Sequence, residues 1–231
     1  MSFDKKLIPP KMAKKEHVTK IHNIEIEDPY YWFRQKDLPE VINHLKAENE
    51  YTKKQLEPYT ELQNELWNEL KNRIKENDET YPIKHGDYYY YSKEIAGQEY
   101  KVYCRKHKSR EAQEEVILDL NILAKDQDYL QLGDIKITLN NQIMAYSLDF
   151  NGSEEFQVFF KDLQRNELLD LTIKNTSPDY QWSNDNKTFY YLELDKNHRP
   201  NKLFKLDIEH GSSPPTLIFE EKDPDYHMSL D

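Results

Sequence analysis

The groups in this chain that could do chemistry are its serines, histidines, acidic residues, single cysteine and five glycines, and their spacing decides which reactions are open. The glycines stand at 86, 97, 133, 152 and 211. No two are four positions apart, so the Gly-x-Ser-x-Gly turn that exposes a nucleophilic serine at the top of a hydrolase sheet cannot be written anywhere. The phosphate-binding P-loop and the Gly-x-Gly-x-x-Gly dinucleotide turn fall with it, because both need paired glycines for close approach of backbone to phosphate. The eight histidines, at 17, 22, 44, 85, 107, 198, 210 and 227, contain no His-Glu-x-x-His and no pair at helical ligand spacing. Ser, His and Asp are all present, yet a triad is defined by geometry, and no local motif nominates a nucleophile. No catalytic, cofactor-binding or metal-binding residue is assigned, and no cofactor is expected.

Charge narrows the partners. The formal net charge is −11, with 32% of residues charged, so phosphate backbones are repelled on average and neither nucleic acid nor membrane is an expected partner. One dense basic stretch, Lys101 to Arg110, carries Lys101, Arg105, Lys106, Lys108 and Arg110. Glu111, Glu114 and Glu115 follow it, and the stretch reads as a solvated strand and turn. Carboxylate pairs such as Glu154-Glu155 and Glu220-Glu221 read as solvated charge at turns and strand ends. The lone Cys104 excludes an internal disulfide and a multi-cysteine zinc site, which fits a reducing compartment. Only Leu7-Ile8 separates the polar start from Pro9-Pro10, too little for a signal-peptide core, and no run approaches the roughly 20 apolar residues of a membrane span. A cytoplasmic location is expected.

Two kinds of element must position these groups. Pro9 to Arg34 reads as extended and punctuated, since Pro9, Pro10 and Pro29 disfavour helix at and before themselves. A helix is expected from Leu38-Pro39-Glu40 to about Leu56, capped by Asp37 with Glu40, its apolar face made by Val41, Ile42 and Leu45. A second begins with a Thr60/Gln63 capping box, and Leu62, Leu66, Leu70 and Ile74, with Trp67, form a stripe that needs a partner surface. That partner could lie outside this chain. From about Tyr81 the period becomes that of strands, expected at Tyr88 to Tyr91, Tyr100 to Cys104, Ile143 to Leu148, Phe156 to Phe160, Thr188 to Leu194 and Leu203 to Ile208. Aromatics at 13%, including 17 Tyr, favour sheet over disorder. The boundary between the regions falls near Glu76-Asn77-Asp78-Glu79, giving segments 1–76 and 77–231.

The strand region repeats. Ile137-Thr138-Leu139-Asn140-Asn141-Gln142-Ile143-Met144-Ala145-Tyr146 lies over Trp182-Ser183-Asn184-Asp185-Asn186-Lys187-Thr188-Phe189-Tyr190-Tyr191 at an offset of 45 positions, a polar turn followed by an apolar strand in each. Phe159 to Leu163 falls on Phe204 to Ile208 at the same offset. A looser, earlier copy runs from Tyr88 through Gly97-Gln98-Glu99-Tyr100-Lys101-Val102-Tyr103, which parallels Gly152 to Phe159. Periods of about 40 to 50 residues with about four strands each describe propeller blades, a β-sandwich being the alternative. The fold class is thus mainly β with an N-terminal α-helical segment and a partial, about three-blade, β-propeller. The next repeat is expected to open near His227, so the sequence reads as an incomplete propeller.

Asp28-Pro29-Tyr30-Tyr31-Trp32-Phe33-Arg34, placed after Pro9-Pro10 and before a helix containing Glu48-Asn49-Glu50-Tyr51, resembles the N-terminal signature of the prolyl oligopeptidase family. Trp67 to Ile74, Gly97 to Tyr100, Leu118-Asp119-Leu120-Asn121 and Phe219 to Asp223 are most similar to its oligopeptidase B (protease II) branch. The resemblance spans nearly the whole chain. It implies a helical segment that packs on a C-terminal α/β-hydrolase domain and a seven-bladed propeller that limits serine-peptidase substrates to short peptides, cut after basic residues. The family's Ser, Asp, His and oxyanion donors belong to regions after Asp231, so none is carried over and the chain alone is expected to be inactive. Its implied partner is a separate chain bearing the remaining blades and the hydrolase domain. Where the family often has Ser-Pro-Asp at blade starts, this sequence has Thr138-Leu139-Asn140 and Ser183-Asn184-Asp185. A stand-alone binding module working through an open β edge is the rival reading.

Overall fold

The computed structural model describes residues 7–208 and 214–230, and the chain divides into two compact units, Met1–Lys75 and Glu76–Asp231. In the first, strands β1 (Val18–Ile21) and β2 (Ile24–Glu27) pair as an antiparallel hairpin. Its two-residue turn is His22-Asn23, with φ of 48° and 62°, the left-handed pair that matches strand twist. The segment expected to be extended therefore folds back on itself. Just after Pro29 it also forms a 3-10 turn, Tyr31–Arg34. The Trp32 indole N–H donates to the Ala13 carbonyl at 3.1 Å, and the Lys15 ammonium stands 3.9 Å over its ring.

Helix α1 (Pro39–Leu56) passes through a 3-10 turn, Glu57–Tyr59, into α2 (Thr60–Lys71). Both expected capping boxes are absent. The N-cap of α1 is Leu38, with no side-chain cap, and Pro39 opens the helix; its fixed φ and missing N–H suit that position. Thr60 is already helical (φ −58°, ψ −41°), and the N-cap position falls on Tyr59, which has no side-chain cap. The Thr60 hydroxyl instead donates back to the Glu57 carbonyl at 2.8 Å. Ile74 lies beyond the end of α2, and Leu66, Trp67, Leu70 and Ile74 are all exposed, Leu70 by 59%.

The second unit is a run of antiparallel blades. In the first, β3 (Asp78–Glu79) and β4 (Ile83–His85) both pair with β5 (Tyr88–Glu94), followed outward by β6 (Val102–His107) and β7 (Glu114–Asp119). A one-turn helix, α3 (Leu120–Leu123), leads on, the Asp119 carboxylate accepting from Asn121 N. Then come β8 (Gln131–Ile137), β9 (Ile143–Asp149), β10 (Phe156–Asp162), β11 (Glu167–Trp182), β12 (Thr188–Leu194), β13 (Pro200–Asp207) and β14 (Thr216–Glu220), hydrogen-bonded in sequence order as one sheet. The 16-residue β11 explains how one ladder holds two blades. Glu167 to Thr176 pairs with β10 as the outer strand of the second blade, and Thr176 to Trp182 pairs with β12 as the inner strand of the third.

Strand alternation sends side chains to both blade faces. From β9, Met144, Tyr146 and Leu148 join Ile117, Leu118 and Leu120 of the first blade, while Ala145 joins Tyr180, Trp182, Phe189, Tyr191 and Leu206 of the third. A middle sheet buried on both faces is what stacked blades require and a two-layer sandwich does not. Phe189, fully buried, contributes about 2 kcal/mol by its burial alone. The fourth repeat expected near His227 has no strand over residues 221–230. There the Arg199 guanidinium gathers the chain, donating to the carbonyls of Glu221 at 3.4 Å, Tyr226 at 2.6 Å and Asp223.

Candidate functional site

The polar turns that open each blade have one geometry built from different residues. Gly86, Asn141 and Asn186 each take a left-handed conformation, with φ of 59°, 60° and 61°, two residues before β5, β9 and β12. In the second blade the Thr138 hydroxyl accepts from Ile143 N at 3.0 Å and Asn140 Oδ1 from Gln142 N at 3.1 Å. In the third, Asp185 Oδ1 accepts from both Lys187 N and Thr188 N at 2.9 Å. Those bonds, from Thr188 first and Lys187 next, pull the Asp185 carboxyl down to about 2. The departures from Ser-Pro-Asp thus preserve the turn, because Asn and Asp supply the same acceptor.

These turns also join neighbouring blades. Asn140 N donates to Asn186 Oδ1 at 2.9 Å, and the Tyr90 hydroxyl to Asn141 Oδ1 at 2.8 Å. Gly86 is required at its place: a Cβ there would stand 2.5 Å from the Asn141 amide nitrogen. Along the inner strands, the Tyr180 hydroxyl donates to the Asp134 carbonyl at 2.5 Å and the Trp182 indole to the Lys136 carbonyl at 3.1 Å. Two carbonyls on the free edge of β8 are therefore already satisfied, and Ile135 N donates to the Asp134 side chain at 2.7 Å. Such an edge is closed to strand addition at these groups.

Arg105 is the main correction to the sequence reading. The stretch Lys101 to Arg110 reads as solvated, yet the Arg105 side chain is 2% exposed. Strand alternation on β6 turns it inward, where its Nε donates to Glu115 at 2.7 Å, Nη1 to the Asn141 carbonyl at 2.9 Å and Nη2 to the Leu163 carbonyl at 3.1 Å. The cation also lies 4.0 Å over the Tyr88 ring. Lys161 of the second blade reciprocates, donating to the Ile117 carbonyl at 2.9 Å, and burial lowers the pKa of its ammonium. The signal for Arg105 was its position between Cys104 and Lys106 in a strand, where alternate residues must point to opposite faces.

Cys104, beside it, is fully buried, and burial first, with Glu114 second, pushes its thiol up to about 11. A thiol held protonated is a packing group and a poor nucleophile. The Glu114 carboxylate binds both the Tyr91 hydroxyl and Lys93; these bonds outweigh the burial that opposes its charge and hold its pKa below the ordinary carboxylate value. His17 is hydrogen-bonded to the Thr19 hydroxyl at 3.1 Å and stacks on Tyr31 at 3.6 Å. Its ring has no carboxylate partner among the described residues, whereas His44 lies 3.5 Å from Glu48 and His198 3.3 Å from Glu155. No group of three His, Cys, Asp or Glu among the described residues is placed to hold a metal, and no helix is long and apolar enough to cross a membrane.

An open cleft of about 890 Å³ lies on the inner strands, lined by residues of β4, β5, β6, β7, β8 and the end of β11. Tyr90, Tyr103, Ile135 and Trp182 make its apolar walls, and His85, Asp134, Lys136 and Gln181 its polar ones. No sequence motif points to it, since its residues come from three blades.

Known proteins share this architecture. Residues 10–231 match the family model described as prolyl oligopeptidase, N-terminal beta-propeller domain. Dipeptidyl aminopeptidase BI of Pseudoxanthomonas mexicana is 32% identical over 96% of this chain and 33% of its own length, and Protease 2 of Moraxella lacunata is 30% identical over 93% and 32%. The chain thus spans about a third of these relatives. Among solved structures, oligopeptidase B from Leishmania major superposes with a TM-score of 0.83 at 26% identity, over 96% of this chain and 34% of that one. The helices, the stacked blades and a family match that runs from the Pro10 region onward have one reading: the chain belongs to the prolyl oligopeptidase family, of which it is the N-terminal, propeller-bearing part.

Proposed function

We propose that this chain supplies the helical segment and first three blades of an oligopeptidase B-like serine endopeptidase that cleaves short peptides after basic residues in the cytoplasm. Segment 1–76 is the part that packs on the α/β-hydrolase domain, and segment 77–231 is the start of the propeller. Hydrolysis needs the catalytic Ser, Asp and His supplied beyond these residues, on the same polypeptide or on a partner chain, so this chain alone is inactive. The observation that carries the reading is the exposed face of α2, where Leu66, Trp67 and Leu70 lie open, with Ile74 exposed just past its end, in a chain a third the length of its relatives. Exposed apolar surface of this kind marks an interaction site.

The test is cleavage of a fluorogenic peptide with Arg or Lys before the scissile bond. It is run on this chain alone and on this chain mixed with a polypeptide carrying the remaining two-thirds of the Protease 2 relative. A substrate that reports release of an N-terminal dipeptide forms a second arm, because one relative is named for that activity. No turnover alone and turnover of the basic substrate in the mixture are expected. Turnover by this chain alone, abolished by a serine-directed inhibitor, overturns the proposal, and so does a mixture that turns over only the dipeptidyl substrate.

A second reading, a binding module acting through its outer edge, is favoured by one feature. The edge strand β14 exposes Leu217, Ile218 and Phe219, whereas the inner edge of β8 is satisfied by Tyr180 and Trp182. Strand addition at β14 is the form this reading takes. Amide protection gained at residues 216–220 in the presence of a partner, with no peptidase activity in any mixture, would favour it.

A further inference from the structure

The inner-strand cleft carries features that scaffold duty does not use. The Tyr103 hydroxyl and the Gln181 amide nitrogen, both on its lining, have no hydrogen-bond partner among the described residues. Asp134 and Lys136, two residues apart on β8 and both lining the cleft, form an ion pair at 3.3 Å with side chains 42% and 37% exposed. A half-exposed pair of this kind is weak, so opening it to admit a ligand costs little. Opened, the two charges are rooted about 7 Å apart, two residues along a strand. The Tyr103 and Trp182 rings line the same cleft.

We propose that this cleft binds a zwitterionic dipeptide carrying an aromatic side chain. Its ammonium pairs with Asp134, its terminal carboxylate with Lys136, and its ring lies against Tyr103 and Trp182. The separation of the two roots suits the ends of an extended dipeptide better than those of a single amino acid. The volume of about 890 Å³ lies in the range of small-molecule sites, which are mostly apolar with a few convergent polar groups. The peptide link supplies a carbonyl for the idle Tyr103 hydroxyl or the Gln181 amide. Nothing in the proposal requires the chain to be part of a peptidase.

The experiment uses the chain as it stands and the dipeptide Ala-Phe as probe, with binding followed by ligand-observed NMR and equilibrium dialysis. N-acetyl-Ala-Phe lacks the ammonium, Ala-Phe amide lacks the carboxylate and Ala-Ala lacks the ring. Saturable binding of Ala-Phe at millimolar or lower concentration is expected, with each derivative weaker by roughly two- to fivefold or more. Asp134→Asn weakens Ala-Phe by a similar factor and leaves the acetylated peptide unchanged; Lys136→Gln leaves the amide unchanged. Both side chains are solvent-accessible, and unchanged urea midpoints check that the variants fold. Absence of saturation, derivatives that bind as tightly as Ala-Phe, or affinities indifferent to both substitutions would each overturn the proposal.

Discussion

Arg105 Nη2 donates to the Leu163 carbonyl at 3.1 Å across 58 residues of sequence, tying the third strand of the first blade, β6, to the end of β10 in the next. The same guanidinium holds the Asn141 carbonyl and the Glu115 carboxylate, so one buried side chain serves a hairpin exit, a blade start and a neighbouring strand. Arg105→Met removes the donors and strands two carbonyls and a carboxylate, at a cost of about 3 kcal/mol. Arg105→Lys keeps the charge but loses the fork that reaches three acceptors, and falls in between. Urea midpoints of the three proteins test this order. A midpoint for Arg105→Met equal to that of the parent would show that the contact does not join the blades.

Cys104 is the natural reporter of that joint, because it neighbours Arg105 and is the only thiol in the chain. With its pKa pushed up to about 11 by burial, less than about 1% is thiolate at pH 8, and the sulfur is closed to solvent. Alkylation of the native chain at pH 8 is expected to be slower than in urea by at least about two orders of magnitude, and to quicken in Arg105→Met. The sign of the linkage follows from the raised pKa. The protonated thiol favours the folded state fully below its ordinary value of 9, and that contribution is lost as pH rises from 9 through about 11. Native-rate alkylation at pH 8 matching that of the unfolded chain would contradict the burial.

How much of this was legible in the sequence depends on whether a feature has a phase. β9 and β12 were readable because a turn and an aromatic strand recur 45 positions apart, and both strands begin where the repeat places them, at Ile143 and Thr188. Arg105 was lost because counting charge over ten residues averages out the alternation that buries one of them. β11 was not among the expected strands, and Pro178 lies inside it, a residue type that disfavours a central strand. Its pairing shifts register between Thr176 and Tyr180, where a missing N–H is tolerated. The β1–β2 hairpin escaped because His22-Asn23 is a weak turn signal beside Asn-Gly. The cleft has no linear signature at all, as Tyr103, Asp134 and Gln181 meet only when three blades stack.

The blade-start turns predict an ordered pair of substitutions. At Asn186, with φ of 61°, glycine keeps the backbone free of strain but loses the bond to Asn140 N, whereas alanine loses the bond and keeps the strain. Asn186→Ala is expected to cost about 1 kcal/mol more than Asn186→Gly. Gly86→Ala meets both the positive φ and the Asn141 amide at 2.5 Å, and is expected to destabilise by about 2 kcal/mol. Thermal midpoints rank the three. An alanine at 186 as stable as glycine would remove the argument that asparagine stands there for its conformation.

Acid should loosen the third blade's opening turn only at low pH. The Asp185 carboxyl is depressed from 3.8 to about 2 by the N–H groups of Thr188 and Lys187, so its stabilising bonds are fully present above pH 4 and lost as pH falls through about 2. Asp185→Asn retains an acceptor without the titration. Between pH 4 and 2 the parent is expected to lose more stability than this variant, and above pH 5 neither changes through this group. Following the carboxyl resonance by NMR gives the same test directly. A titration midpoint near the ordinary 3.8 would mean that the turn does not hold the charged form.

The last prediction concerns the surface that the proposed function needs. On α2, Leu66 and Leu70 are exposed by 48% and 59%, and with Trp67 they give a helix one face that the described residues leave open. If that face waits for another domain, replacing Leu66 and Leu70 by Gln removes little packing, and the thermal midpoint moves by no more than the shift that about 0.5 kcal/mol gives. The same change reduces self-association, because open apolar stripes pair with whatever is available. It also abolishes rescue of activity by the polypeptide carrying the remaining two-thirds of the relative. Sedimentation of parent and double variant, beside the mixing assay, separates the outcomes. A loss of several kcal/mol would show that the stripe is core rather than interface. A double variant that still restores turnover would show that the hydrolase domain docks elsewhere.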